Sequence, residues 1–339
     1  MVDHYMARGF CYFDTARIYI GGQSETALRE ALVKRYPRDS FVLTDKLSGS
    51  CFGSREEIRP LFESQLEAMG TDYFDYYLMH ALSAEVYRKF LGCGAFEEVR
   101  QLKKEGKVRH MAISFHDKPQ VLEQILTEQP DIEAVQIQLN YLDYDDPSIE
   151  SGAVYEVCRK YNKPVLIMEP VKGGALANLP KEAEEIFTRL GGGSPASYAI
   201  RYAASFPGVM MVLSGMSDED QMLDNLSYME DPQPLSDREM EAVRQVRDIF
   251  RKLKTIPCTG CRYCVDGCPM HIRIPDLFSC LNDQIKYQNW GSGFYYGVHT
   301  QAGGKIEDCI GCGQCVRSCP QHLHVPELLK EVAKAFAEQ

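Results

Sequence analysis

The stretch Phe41-Val-Leu-Thr-Asp-Lys46 is a short apolar run that ends on charge. Ile58, Leu61, Phe62, Leu66 and Met69 follow at helical spacing, and Tyr73-Phe-Asp-Tyr-Tyr-Leu-Met-His80 is a second apolar run with a polar end. Strand, amphipathic helix, strand is the pattern of a parallel βαβ unit. The helix has a start signal in Ser54-Arg-Glu-Glu57, where Ser54 precedes Glu57 by three and reads as a capping box.

The pattern continues on both sides. Phe10-Cys-Tyr-Phe-Asp14 is an earlier strand, followed by a helix from about Ser24 that carries Leu28, Ala31 and Leu32. Downstream, the periodicity predicts strands at 108–114, 134–139, 165–169 and 209–214. Helices fall between and after them at about 96–106, 119–128, 148–161, 195–205 and 218–228. That makes seven strands, each followed by helix, where a (β/α)8 barrel needs eight. Residues 1–8 read as the end of a helix that would follow the missing first strand. The expectation is an α/β chain with a TIM-type barrel lacking its first strand. A parallel barrel short of one stave exposes two strand edges, so an incomplete N-terminus is expected.

The tail is of another kind. Cys258 to Pro269 reads C-T-G-C-R-Y-C-V-D-G-C-P, and Cys309 to Pro320 reads C-I-G-C-G-Q-C-V-R-S-C-P. Each is a C-x2-C-x2-C-x3-C-P run, the spacing of bacterial ferredoxins, in which three cysteines hold one cubane cluster and the fourth reaches across to the other. Two copies predict two [4Fe–4S] clusters with crossed ligation: Cys258, Cys261, Cys264 and Cys319 for one, Cys309, Cys312, Cys315 and Cys268 for the other. Zinc also takes paired C-x2-C, but the third cysteine and the Cys-Pro end are superfluous for it. Disulfides need an oxidising compartment. Pro275 and Pro326 suit first helical turns, so this small domain should be mainly helical, with 288–304 as a loop between its halves. The expected domains are 1–230 (barrel), 231–255 (linker and helix) and 256–339 (iron–sulfur).

The net charge is −11, and 256–339 holds seven Lys/Arg against eight Asp/Glu, so nearly all of the negative excess lies on 1–255. Without a basic stripe, nucleic-acid binding is not expected. No run of eighteen apolar residues suggests a membrane span, and a reducing cytoplasm is the expected location. Eight of the thirteen cysteines sit in the two motifs. The other five, Cys11, Cys51, Cys93, Cys158 and Cys280, lack ligand spacing and read as small apolar residues.

Three strands end in polar groups: Asp14, Lys46 and His80. Tyr19 lies five residues past Asp14. In barrels of this kind catalytic residues gather at the C-terminal ends of strands. A phenol is a poor acid at neutral pH, and an adjacent ammonium makes it a better one. Asp14 would hold Lys46, and His80 would orient a carbonyl or assist proton transfer.

Phe13-Asp14-Thr15-Ala16 with Tyr19, Gly21, Gly22, Ser24 and Glu25 resembles the aldo-keto reductase signature F-D-T-A-x-x-Y-x-x-G-x-S-E. Lys46 and His80 fall where that family keeps its lysine and histidine. The resemblance covers about 1–230, and the tail resembles the dicluster ferredoxin module fused to one branch of the family. It implies a (β/α)8 barrel, a tetrad of Asp14, Tyr19, Lys46 and His80, and hydride transfer from NAD(P)H to a small carbonyl, or the reverse from an alcohol. It also implies Ser114 and Gln136 at the carboxamide and Gln221 and Asn225 near the adenosine.

No G-x-G-x-x-G follows a strand. The phosphates would instead lie at the last loops of the barrel and a helix N-terminus, which draws in Lys172-Gly173-Gly174 and Ser214-Gly215-Met216-Ser217. Gly215 and Gln221 stand where NADP-preferring members carry cations, which leaves NAD versus NADP open. Met168 or Glu169 stands where many members stack an aromatic. Hydride moves two electrons and a cubane one, so a bound flavin or an electron-transfer protein partner is conceivable. The alternatives are an electron-transfer protein whose barrel is a docking scaffold, and clusters that serve as structural staples.

Overall fold

The computed structural model describes residues 1–147, 149–287 and 291–337. Contacts divide the chain into two compact units. The first is 1–139, 150–170 and 203–234, and the second is 140–149, 171–202 and 235–339. The segments 140–149 and 171–202, expected in the barrel, thus pack with the cysteine-bearing tail. Lys172, ion-paired with Asp143, donates to Gln321 of the tail, and Gly173 lies against Thr259.

The first unit is built on seven parallel strands in sequential order: β1 Tyr12–Asp14, β2 Val42–Ser48, β3 Phe74–Leu82, β4 Val108–Phe115, β5 Ala134–Gln138, β6 Val165–Met168 and β7 Val209–Val212. The sheet curls into a half-barrel, with β1 and β7 as its edges. Its inner face is closed low down by Tyr12, Leu78, Ala112, Ala134 and Leu166, with Tyr76 and Met211 packed against them. Tyr76 of β3 donates to Met210 Sδ of β7 at 3.6 Å, spanning the curl. The central strands are buried along nearly their whole length, as expected of parallel strands covered on both faces.

Helix Ile58–Met69 shows why these residues adopt this form. Ile58, Phe62, Gln65, Leu66 and Met69 share its buried face, and Gly70 ends it in the left-handed conformation that suits glycine. The expected capping box does not form. A 3-10 turn Arg55–Glu57 intervenes, and the Glu57 carboxylate instead accepts from Gly53 N at 2.6 Å. The helix expected at 148–161 is Ser151–Lys160, and residue 148 lies outside the described residues. Helices Ala84–Gly92 and Lys181–Thr188 were not expected; both are short, nine and eight residues.

In the second unit, helix Asp237–Leu253 is opened by a true capping box, Ser236 with Glu239. Arg201 pairs with the same Glu239 at 2.8 Å. The tail is helical, with Ile274–Tyr287 and Val325–Ala337 as its long elements around a core of Leu277, Phe278, Leu329 and Val332. The stretch read as a loop contains helix Gly291–Ala302, and 288–290 lie outside the described residues. Its three glycines hide the period, but Tyr296 stacks on Phe336 at 4.6 Å and fixes it to the last helix. It ends at Gly303-Gly304, where a Cβ on Gly304 would fall 1.9 Å from Met270 O. Only glycine permits the single bridge between Ile272 and Gly304. No helix among the described residues is long and apolar enough to cross a membrane.

Candidate active site

Alternate residues of a strand share a face. Two positions beyond the apolar layer of Tyr12, Leu78, Ala112, Ala134 and Leu166 stand Asp14, His80, Ser114, Gln136 and Met168. The inner face therefore turns polar at one level, at the C-terminal ends of the strands. Register adds Lys46: Asp14 pairs with Thr44, and Lys46 is the next residue of β2 on that face.

Lys46 is fully buried. Its ammonium bonds the Asp14 carboxylate and donates to Thr15 O at 2.8 Å. It lies 4.7 Å from the centre of the Tyr19 ring. The Tyr19 hydroxyl is 3.4 Å from His80 Nε2. Ser48, beside His80 in the β2–β3 register, places its hydroxyl 2.7 Å from Nδ1 and fixes the imidazole from behind. Burial, then the charge of Lys46, holds the His80 pKa well below its ordinary value. His80 is thus a neutral imidazole at neutral pH. It lies within a bulge between Met79 and Leu82, and the backbone N–H of Ala81 donates to Ser114 Oγ at 2.7 Å. Gln136 Nε2 donates to Asp14 Oδ2 at 3.3 Å. All four tetrad candidates, with Ser114 and Gln136, share one end of the sheet.

Sequence reasoning missed what stands behind Lys46. Asp45 points to the opposite face of β2, is fully buried and accepts from Lys46 N at 2.8 Å through Oδ1. Its Oδ2 finds no hydrogen-bond donor but meets the carboxyl of Glu25. Glu25, also buried, is held by Arg17 at 3.0 Å and Gln65 at 3.2 Å. Two carboxylates cannot both be ionised in such contact. Burial and Glu25 push the Asp45 pKa well up, and burial raises that of Glu25, so the pair shares a proton. The available signal was a lone acid inside an apolar run, Asp45 between Thr44 and Lys46.

The expected cofactor residues of 214–225 bond to one another. Ser214 Oγ accepts from Asn225 Nδ2 at 3.0 Å, and Gln221 Oε1 accepts from Ser217 N at 2.8 Å. Gly215 faces open space. The N-terminus of helix Glu219–Met229 is already capped by Asp218, with Glu219 and Asp220 in its first turn. An anion is ill served there. Gly173 lies in the second unit, against Thr259.

In the tail, the thiol of Cys264 is pushed up by burial and by its neighbours Cys261, Cys258 and Cys319. Those are the four cysteines of one expected set. Cys268, Cys309, Cys312 and Cys315 line one cavity with Met270, Ile272 and Ile310, which gathers the other set. Among the described residues, no three His, Cys, Asp or Glu converge on a point for a single ion. Cys268, Cys309, Cys312 and Cys315 surround a void, and soft thiolate donors around a void fit an iron–sulfur cluster.

Residues 1–248 match the aldo/keto reductase family. The chain belongs to that family. Residues 257–324 match the 4Fe-4S dicluster domain. Within the family, the chain is 23% identical over 283 residues to the uncharacterized oxidoreductase YqkF of Bacillus subtilis, covering 74% of this chain and 88% of that protein. It is 29% identical over 168 residues to the NADPH-dependent alpha-keto amide reductase of Saccharomyces cerevisiae, 48% of this chain and 50% of that one. Among solved structures, an aldo-keto reductase from Bacillus halodurans in its holo form superposes with a TM-score of 0.59 at 24% identity, covering 72% of this chain and 85% of that one. One from Klebsiella pneumoniae in complex with NADPH gives 0.59 at 19%, covering 73% and 83%. The half-barrel is thus the aldo/keto reductase fold, and the chain is an oxidoreductase of that family with an iron–sulfur domain.

Proposed function

We propose that the chain reduces a small carbonyl compound with a nicotinamide cofactor, or oxidises the corresponding alcohol, and that the tail carries two [4Fe–4S] clusters for electron transfer. The observation that carries the reading is the Lys46 ammonium, bonded to Asp14 and 4.7 Å from the Tyr19 ring, with the Tyr19 hydroxyl 3.4 Å from a neutral His80.

The chain's own residues would act as follows. The Lys46 cation favours the phenolate that remains when Tyr19 gives its proton to the developing alkoxide. Asp14 neutralises and fixes that buried cation. His80 Nε2 directs the substrate oxygen toward Tyr19, and Ser48 orients the ring. Ser114 and Gln136, on the same polar level, suit a carboxamide. A reduced nicotinamide supplies the hydride when bound, and it is a cofactor that relatives in this family carry in their names or complexes. The ring end of the site fits that group. The phosphate end fits it poorly, because 214–225 holds four acids and no cation, and weak nucleotide affinity follows.

A second reading, electron transfer with the barrel as scaffold, draws support from Lys172 and Gly173. Lys172 is committed to Asp143 and to Gln321 of the tail, and Gly173 to Thr259, so neither is free for a phosphate. The experiment is anaerobic purification with analysis of iron, sulfide and nucleotide, then a search for NADH- or NADPH-dependent reduction of simple aldehydes. Turnover supports the first reading. Clusters that are reduced by a protein donor without any carbonyl turnover support the second.

A further inference from the structure

The duplicated tail puts two residues in matching places: Met270 follows Cys268-Pro269, and Gln321 follows Cys319-Pro320. His271 and His322 come next with φ of 55 and 53, so the two turns bend alike. Their surroundings do not match. Around the set of Cys268, Cys309, Cys312 and Cys315 the lining is apolar apart from Gln314, with Met270 itself, Ile272, Ile274, Ile310 and Leu329, and the cation beside it, Arg317, is solvent-exposed and donates to Cys312 O at 3.4 Å and to Gln314 at 3.0 Å. At the other set, buried Gln321 accepts from Lys172 Nζ at 3.2 Å. Lys172 is itself buried and pairs with Asp143 Oδ1 at 2.5 Å. The other Asp143 oxygen accepts from Asn140 at 2.7 Å.

The next residue reinforces the contact. A Cβ on Gly173 would lie 2.3 Å from Thr259 O, so only glycine allows residue 173 to press on the loop between Cys258 and Cys261. Lys172 accepts a φ of 47 to reach its place, a left-handed conformation that a lysine rarely adopts. Residues 172 and 173 therefore touch two segments of the first cysteine set, at 259 and 321, and are absent from the lining of the second.

We propose that Lys172, held by Asp143 against Gln321, raises the reduction potential of the cluster on Cys258, Cys261, Cys264 and Cys319 above that of its twin, making it the first of the pair to be reduced. This rests on the reading of the eight cysteines as ligands of two clusters. Reduction adds one electron and no atoms, so it adds one negative charge at the cluster. A buried ammonium stabilises that charge strongly at low effective dielectric, whereas an apolar lining disfavours it. Asp143 offsets part of the effect, but the ammonium is the member that bonds Gln321, and the carboxylate is tied back to Asn140.

The test is a potentiometric titration of the full-length protein with dithionite and mediators, followed by electron paramagnetic resonance. Signals are assigned with Cys261→Ser and Cys312→Ser. Lys172→Met should lower the potential of the first cluster by at least a tenfold change in its one-electron equilibrium, about 59 mV, and leave the second unmoved. Asp143→Asn should raise the same potential, and Lys172→Arg should restore the wild-type value. Unmoved potentials at full iron content, or equal shifts of both clusters, would overturn the proposal. If Lys172→Met loses iron, Asp143→Asn decides, since it keeps the lysine: an upward shift of the first cluster supports the proposal, and no shift defeats it. Wild-type protein with far fewer than about eight iron atoms per chain would instead defeat the two-cluster reading beneath it.

Discussion

Lys46 reaches Asp14 and Tyr19 from a strand buried continuously from Leu43 to Ser48. Cys261, Cys309 and Cys312 stand exposed on loops, next to helices of only four residues. Asp14, Lys46 and His80 are held by the hydrogen-bonded register of parallel strands, and Tyr19 stands beside them at the start of a 3-10 turn. Among the described residues, the cysteine loops are joined by one isolated β-bridge, Ile272 to Gly304, and rest on an apolar core. Strand tips store a site in the fold, whereas the cysteine loops need the metal to complete theirs.

Removing the metal should separate the two regions most sharply. Chelation of iron under reducing conditions should abolish protection of 256–337 against proteolysis while the β1–β7 region stays resistant. A tail that remains protected would break the contrast. Lys46→Met comes next. It strands Asp14 at the sheet mouth and should cost about 3–5 kcal/mol in denaturant unfolding, with loss of carbonyl turnover. A variant of wild-type stability would show that the strand tips are not held by that ion pair.

Asp45→Asn should have the opposite sign. The folded pKa of Asp45 is raised, so its contribution is fully present below about 3.8 and is lost as pH rises toward the folded value. The amide donates to Glu25 without a proton to retain. Its stability gain should therefore be larger at pH 7 than at pH 4, by about 1–3 kcal/mol. Equal gains at both pH values would mean that no proton is shared. The smallest effect belongs to His80, whose folded pKa is depressed. Stability is full above about 6.5 and falls as pH drops below it, by at most about 1.4 kcal/mol per pH unit. His80→Gln should flatten that slope in unfolding curves at pH 5 to 7.

Much of this was legible in the chain. The apolar runs located all seven strands, because parallel strands buried on both faces leave unbroken apolar stretches such as 111–113 and 165–168. Asp14, Lys46 and His80 announced themselves as polar ends of such runs. The duplicated C-x2-C-x2-C-x3-C-P spacing pointed to the cysteine sets. Other features depended on tertiary contact. Helix Gly291–Ala302 is fixed by Tyr296 on Phe336, across forty residues of sequence, and no local period reports that. Gly173 resembled a phosphate-loop glycine, since a glycine required by Thr259 and one required by a phosphate look alike in sequence. Asp45 and Glu25 are twenty residues apart, and only the pleat of β2 shows that Asp45 turns away from Lys46 toward Glu25.

The central claim is that Tyr19 gives the proton while Lys46 and His80 hold it ready. Single-turnover oxidation of bound reduced nicotinamide by a simple aldehyde, in wild-type protein and in Tyr19→Phe, tests it most directly. The account predicts a rate lower by about 10²–10⁴-fold in the variant, with nucleotide affinity and iron content unchanged. Equal rates in the two proteins would contradict it.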